Sequence, residues 1–180
     1  MTRRVALLRG INVGKAKRVA MAELRALVER LGYDEVRTLL NSGNVVFSAA
    51  SGGDAAIAQR LGQALADELG VAAQVVVKSA ATFEKILAEN PLVAHAADPS
   101  RLFVTFTQSA ADLVPLADLA RPDPDPDAFV CGRHAAYLWC PQGILESALA
   151  TTVARRLGDR GTTRNWSTTR KLGELLRSQG

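Results

Sequence analysis

The chain has 180 residues, room for one domain or two small ones, and 48% of them are hydrophobic, so a buried core is within reach. Its formal charge of +4 is compatible with nucleic acid or phosphorylated ligands, and equally with ordinary solvated surface charge. The first apolar run is too short for a membrane span or a secretion signal, and two cysteines make no disulfide framework, so the expectation is a cytoplasmic protein with reduced thiols and no membrane contact.

Residues 4–9 read as a buried strand. In 20–31, Met21, Leu24, Leu27, Val28 and Leu31 recur at spacings of three and four, which predicts a helix, and Gly32 supplies its left-handed stop. Residues 35–40 are the second strand and Val45 to Ser48 the third, joined by the turn-rich Asn41-Ser42-Gly43-Asn44. Ile57, Leu61, Leu65 and Leu69 mark a second helix, and Gln74 to Lys78 a fourth strand rich in valine. This order is βαββαβ, which closes into a two-layer α+β sandwich.

A short helix at 80–88 leads into a loop punctuated by Asn90-Pro91 and Asp98-Pro99, read as a hinge. The second half follows the same order: strand Leu102 to Thr107, helix 110–119, and a hairpin of Ala128 to Cys131 with Ala135 to Cys140 around Gly132-Arg133-His134. Helix 145–157, a strand from Gly161 to Asn165 and a closing helix from Ser167 to Leu176 complete it. Pro122, Pro124 and Pro126, interleaved with aspartates, exclude a helix interior or a central strand and read as a stiff acidic connector.

In a ferredoxin-like sheet the first and third strands are central antiparallel neighbours, so the end of the first lies beside the start of the third. That places the loop Gly10 to Val19 against Asn41 to Asn44. The first loop carries Arg9, Asn12, Lys15, Lys17 and Arg18. Gly10 and Gly14 are three residues apart and Ala16 follows Lys15, so the spacing fits neither a P-loop nor the dinucleotide fingerprint. Cations so closely spaced repel unless they are solvated or paired with an anion, and both readings stand. The turn 41–44 is either ordinary turn chemistry or a set of amide and hydroxyl donors facing the first loop.

A third segment, Thr162 to Lys171, combines Arg164, Asn165, Trp166 and several hydroxyls at a helix start. There they either cap and pack or receive a phosphate or carboxylate. Tyr137 and Trp139 share one strand face, as packing or as a stacking platform, with packing the commoner case. His134 sits at a hairpin tip, where exposure is the rule, and His95 in the hinge loop. Neither histidine stands in a metal-ligand spacing, and no nucleophile, base and acid form a trio, so whether the chain is an enzyme stays open.

The residues Leu8-Arg9-Gly10-Ile11-Asn12-Val13-Gly14, Met21, Leu40-Asn41-Ser42-Gly43-Asn44-Val45, Asn90-Pro91 and Thr162-Thr163-Arg164-Asn165-Trp166 resemble a bacterial family, the domain of unknown function 1697. They span nearly the whole chain in the family's order. The family commonly has Gly-Gly and then Lys-Asn in the first loop, where this chain has Lys15 for the second Gly and Lys17 for the Asn. The resemblance implies two α+β subdomains of ferredoxin-like arrangement, and no established activity, substrate or cofactor.

The expected fold is therefore α+β: two βαββαβ ferredoxin-like subdomains at 1–79 and 101–180, joined by a helix and linker at 80–100, the second with an added C-terminal helix. The expected function is binding of a phosphorylated small molecule, without cofactor or metal. The residues expected to carry it are Arg9, Gly10, Asn12, Lys15, Asn41, Ser42, Asn44, Arg164 and Asn165. The rival readings are a nucleic-acid-binding module and a non-catalytic protein-interaction domain.

Overall fold

The computed structural model describes residues 1–15, 18–95, 97–123 and 126–178, so Lys17 of the basic loop and Pro124 of the connector lie outside the described residues. The chain divides into two compact units, Met1–Phe83 with Leu172–Gly180, and Glu84–Lys171.

The first unit runs β1 (Thr2–Leu8), α1 (Met21–Arg30), β2 (Asp34–Leu39), β3 (Asn44–Ala49), α2 (Asp54–Leu69) and β4 (Val75–Ser79), and α3 (Ala80–Ala88) follows. Its antiparallel sheet has the order β2-β3-β1-β4. β1 is central and its residues 4–8 are buried, which is why it reads as a continuous apolar run rather than an alternating one. α1 and α2 lay Leu24, Leu27, Val28, Ile57, Leu61 and Leu65 over Ala6, Leu8, Val45 and Phe47. α1 ends as its sequence requires: Leu31 is still right-handed and Gly32 takes φ +84°. α2 ends on left-handed Gly70.

The first turn of α2 is fixed by charge. Arg4 Nε donates to Asp54 Oδ1 at 2.9 Å, the Ser79 amide donates to Asp54 Oδ2 at 2.9 Å, and Arg4 Nη2 donates to the Gly52 carbonyl at 2.8 Å. One carboxylate thus ties a helix start to two adjacent strands, β1 and β4, and the nearly buried Arg4 guanidinium has its partner. Arg3 Nη1 donates to the carbonyls of Leu176 and Ser178, holding the C-terminal residues in this unit.

β2 begins at Asp34 and ends at Leu39, one residue earlier at both ends than expected. Two left-handed residues account for this. Glu35 (φ +51°) sits where the β2–β3 register shifts, and Leu40 (φ +58°) takes the chain out of the sheet.

The second unit contains β5 (Leu102–Thr107), β6 (Ala128–Cys131), β7 (Ala135–Trp139), α4 (Ala148–Leu157) and β8 (Gly161–Asn165), and α5 (Trp166–Arg177) follows β8. The sheet order β6-β7-β5-β8 repeats that of the first sheet, with all pairs antiparallel. The first helix of this half, Ala110–Leu119, is 3₁₀ and not α. Pro115 lies inside it, has no N–H for an i→i−4 bond and crowds the carbonyl four residues back. The helix expected from 145 starts at Ala148, because Gly143 (φ +101°) and a single 3₁₀ turn precede Ser147, whose hydroxyl accepts from the Ala150 amide at 3.0 Å.

The chain is therefore two four-stranded antiparallel sheets carrying helices in the ferredoxin-like order, with a C-terminal helix added. No helix among the described residues is long and apolar enough to cross a membrane.

Candidate functional site

β1 and β3 bring the two glycine-containing loops of the first unit together. The pairing runs from Thr2↔Ala49 to Leu7↔Asn44, and beyond it the Leu8 amide donates to the Gly43 carbonyl at 2.8 Å. Arg9 continues the strand on the other side, its amide donating to the Gln74 carbonyl at 2.9 Å. Gly43 takes φ +79°, and a Cβ there would stand 2.8 Å from both Leu8 Cβ and Ile11 Cδ1. Glycine is required twice at this turn, by dihedral and by space.

The first loop is held from below and from the side. Ile11 and Val19 are buried in the core, at its two ends. Asn12, left-handed at φ +55°, spends its side chain on backbone: Oδ1 accepts from the Val19 amide at 2.7 Å, and Nδ2 donates to the carbonyls of Val19 and Asn41, each at 2.9 Å. Asn44 does the same for the turn. It is fully buried, and its Nδ2 donates to the Leu39 carbonyl and to Ser42 Oγ, each at 2.9 Å. Arg18 Nη1 donates to the Asn12 carbonyl at 3.0 Å. The result is a clamped pair of loops with half-buried Arg9 and Ser42 and exposed Gly10, Lys15 and Asn41 on their surface.

Arg164 and Asn165 belong to the second unit. Arg164 on β8 is half-buried, and its Nη1 donates to Thr162 Oγ1 at 2.8 Å and to the Thr163 carbonyl at 2.9 Å. Desolvation lowers its pKa to about 10, still well above neutrality. Asn165 is the N-cap of α5: Oδ1 accepts from the Thr168 amide at 2.8 Å, and its carbonyl accepts from Thr169 Oγ1 at 2.8 Å. The cap of this helix is the asparagine, and Trp166 beside it is nearly buried.

The pairing of His134 at the β6–β7 hairpin with Glu89 escaped the sequence reading, while the packing expected as the commoner case for Tyr137 is what the structure has. His134 is half-buried rather than exposed at its tip, because its Nδ1 meets Glu89 Oε1 at 2.5 Å. The other Glu89 oxygen accepts from the Arg133 amide at 3.1 Å. Gly132 makes room for this: a Cβ would stand 3.2 Å from Glu89 Oε2 and 2.9 Å from the Ala135 carbonyl. Tyr137 is fully buried, donates to the Ile86 carbonyl at 2.7 Å, and has its phenol pushed upward by burial and by the Glu89 charge, so it packs and does not offer a stacking face. Next to Glu89, buried Asn90 accepts from the Leu92 amide at 3.0 Å, while its Nδ2 has no hydrogen-bond partner among the described residues. The one available signal was the position of Glu89 immediately before Asn90-Pro91.

Both cysteines are free, and burial raises both thiols, Cys140 to about 11. Neither is an activated nucleophile. Among the described residues no three His, Cys, Asp or Glu side chains gather as metal ligands.

Two concavities of the first unit lie beside α2, the smaller of them under the α1–β2 and β3–α2 connections. One of about 250 Å³ is lined by Tyr33, Gly52 and Ile57, and one of about 500 Å³ by Gln63, Asp67 and Glu68, with Leu31 and Arg60 common to both. Arg60 there covers Tyr33, its guanidinium 5.6 Å from the ring centroid.

A family model described as "Protein of unknown function (DUF1697)" matches residues 1–137. No curated protein matches the chain. Among solved structures, the conserved bacterial protein SP0830 from Streptococcus pneumoniae is similar with a TM-score of 0.75 at 23% identity, over 98% of this chain and 99% of that one. At that identity the likeness speaks for the fold alone.

Proposed function

The chain belongs to the DUF1697 family, whose description assigns no activity; from its own residues we propose that it is a cytoplasmic protein binding a phosphorylated ligand on the paired loops of its first unit. The observation that carries this reading is the clamp made by Asn12. Three side-chain hydrogen bonds and two buried apolar residues anchor the loop at Ile11, Asn12 and Val19, which lowers the ordering cost of binding beside them. From Arg9 to Ala22 the sequence has four cations and no acid, and from Thr38 to Gly53 it has no acid either. The local potential therefore favours an anion. Arg9 offers a planar pair of donors to phosphate oxygens, Lys15 a point charge, and Gly10 a close approach to backbone. Asn12 and Asn44 shape the loops, and the reading is confined to the first unit.

Calorimetric titration with inorganic phosphate and pyrophosphate at low salt tests it. Arg9→Ala should weaken binding by roughly tenfold or more while circular dichroism stays that of the folded protein. Equal affinity in the variant removes Arg9 from the site.

The second reading, a nucleic-acid surface, draws support from the four cations without an acid between Arg9 and Ala22, which suit a polyanion backbone as well as a single phosphate. It predicts that log K falls with log salt at a slope of about −0.9 per phosphate neutralised on duplex DNA. No gel shift with RNA or DNA at low salt would remove it.

A further inference from the structure

Two of the large apolar side chains left exposed by this fold stand on the clamped loops. Val13 is 57% exposed and Leu40 is 54% exposed. Each is the chain neighbour of a residue in the same hydrogen bond, Asn12 Nδ2 to the Asn41 carbonyl at 2.9 Å, so both flank one junction, and Lys15 follows Val13 in the same loop. Leu40 has a second peculiarity: its φ is +58°. A left-handed conformation brings Cβ against the following carbonyl and costs about 1–2 kcal/mol for a residue of this kind. Glycine or asparagine would take it more easily. Leucine there is no part of the buried core and leaves 54% of its surface to water.

A strained, exposed leucine is a poor choice for folding and a sensible one for contact with a ligand. We propose that the loop site takes a soluble organic phosphate ester, with the phosphate on Arg9 and Lys15 and an apolar substituent next to the phosphate lying on Leu40 and Val13. This rests on the anion-binding reading above and adds to it the chemistry of the other half of the ligand. Covering one aliphatic side chain removes apolar surface from water on both partners, and the site therefore prefers such an ester to bare phosphate by roughly tenfold.

The test compares inorganic phosphate with phenyl phosphate by calorimetry, in the wild type and in Leu40→Asn. The expected result is tighter binding of phenyl phosphate by the wild type. In Leu40→Asn that preference is lost, affinity for inorganic phosphate is unchanged, and the melting temperature is equal or higher because asparagine tolerates the left-handed backbone. Phosphate binding with no preference for the ester overturns this inference and leaves the anion reading standing, as does an equal loss of both ligands in Leu40→Asn. Failure of both probes to bind overturns both. Vesicles containing phosphatidic acid present the same chemistry as a lipid, and binding seen with vesicles alone overturns the soluble ester. Val13→Ser supplies a second variant, expected to lose the ester preference and keep the affinity for inorganic phosphate, should Leu40→Asn fail to fold.

Discussion

Asn12 donates its side-chain amide to the backbone carbonyl of Asn41 across 2.9 Å, and so one residue of the first loop fixes the position of the turn facing it. The same amide and its oxygen also hold Val19, seven residues on. Asn12→Ala loses all three bonds and puts alanine, which tolerates the left-handed region less well than asparagine, at φ +55°. The expected loss is about 2–3 kcal/mol in urea denaturation. A change below about half a kcal/mol would show that the clamp does not hold the loop in solution.

Gly43→Ala tests the close approach of the two loops. Its Cβ would meet Leu8 Cβ and Ile11 Cδ1 at 2.8 Å with φ at +79°. Both neighbours are packed in the core, so the clash is not relieved by a side-chain swing. We expect about 2–4 kcal/mol of destabilisation by chemical denaturation. Wild-type stability would mean that the turn opens freely.

The strand order, the meeting of the two loops and the stop of the first helix at Gly32 were legible in the sequence, because each follows from local rules. A buried central strand reads as an apolar run, a glycine after a periodic segment ends a helix, and the βαββαβ order sets which strand ends are adjacent. The role of Asn12 was not legible as a clamp. Its three bonds go to backbone, and backbone carbonyls carry no sequence signature. Glu89 and His134 were missed for a related reason: they are 45 residues apart, and neither sits in a repeating pattern. The helix expected at 110–119 took no account of Pro115, the residue inside Ala110–Leu119 that goes with its 3₁₀ form. Among the site residues, sequence does not say whether an asparagine turns inward, as Asn44 does, or outward.

Asn165 separates capping from binding. Asn165→Ala should cost about 0.5–2 kcal/mol through loss of the bond from the Thr168 amide. Asn165→Asp keeps an acceptor and adds a favourable charge at the helix start, and should restore wild-type stability or exceed it in a thermal melt. If aspartate is as damaging as alanine, the cap is not what the residue supplies.

Gly132→Ala should displace the Glu89 carboxylate or the hairpin backbone, since a Cβ has 2.9 Å to the Ala135 carbonyl. The expected signs are about 1–3 kcal/mol of destabilisation and an altered His134 imidazole resonance. An unchanged resonance would mean that Glu89 and His134 are not held together by this glycine.

The thiols give a pH dependence. Burial raises Cys140 from 9.0 to about 11. Below pH 9 both folded and unfolded chains hold the proton and the preference for the neutral thiol is fully expressed. As pH rises toward 11 the unfolded chain releases its proton first, so folding stability falls across that window. Alkylation by iodoacetamide should accordingly be slow in the native protein and still climbing at pH 10, whereas in denaturant its rate should reach half of its maximum near pH 9.0. Native labelling that saturates by pH 9 would contradict the buried position of Cys140.

The crowding around Gly43 also bears on how this family diversifies. Positions 8, 11 and 43 share one small volume, so they are not free to vary independently. In related chains that carry a side chain at the position of Gly43, the residues facing it from the end of the first strand and the start of the first loop should be smaller than leucine and isoleucine. The three columns of an alignment should therefore exchange size together, although residue 43 lies 35 positions from residue 8 and 32 from residue 11.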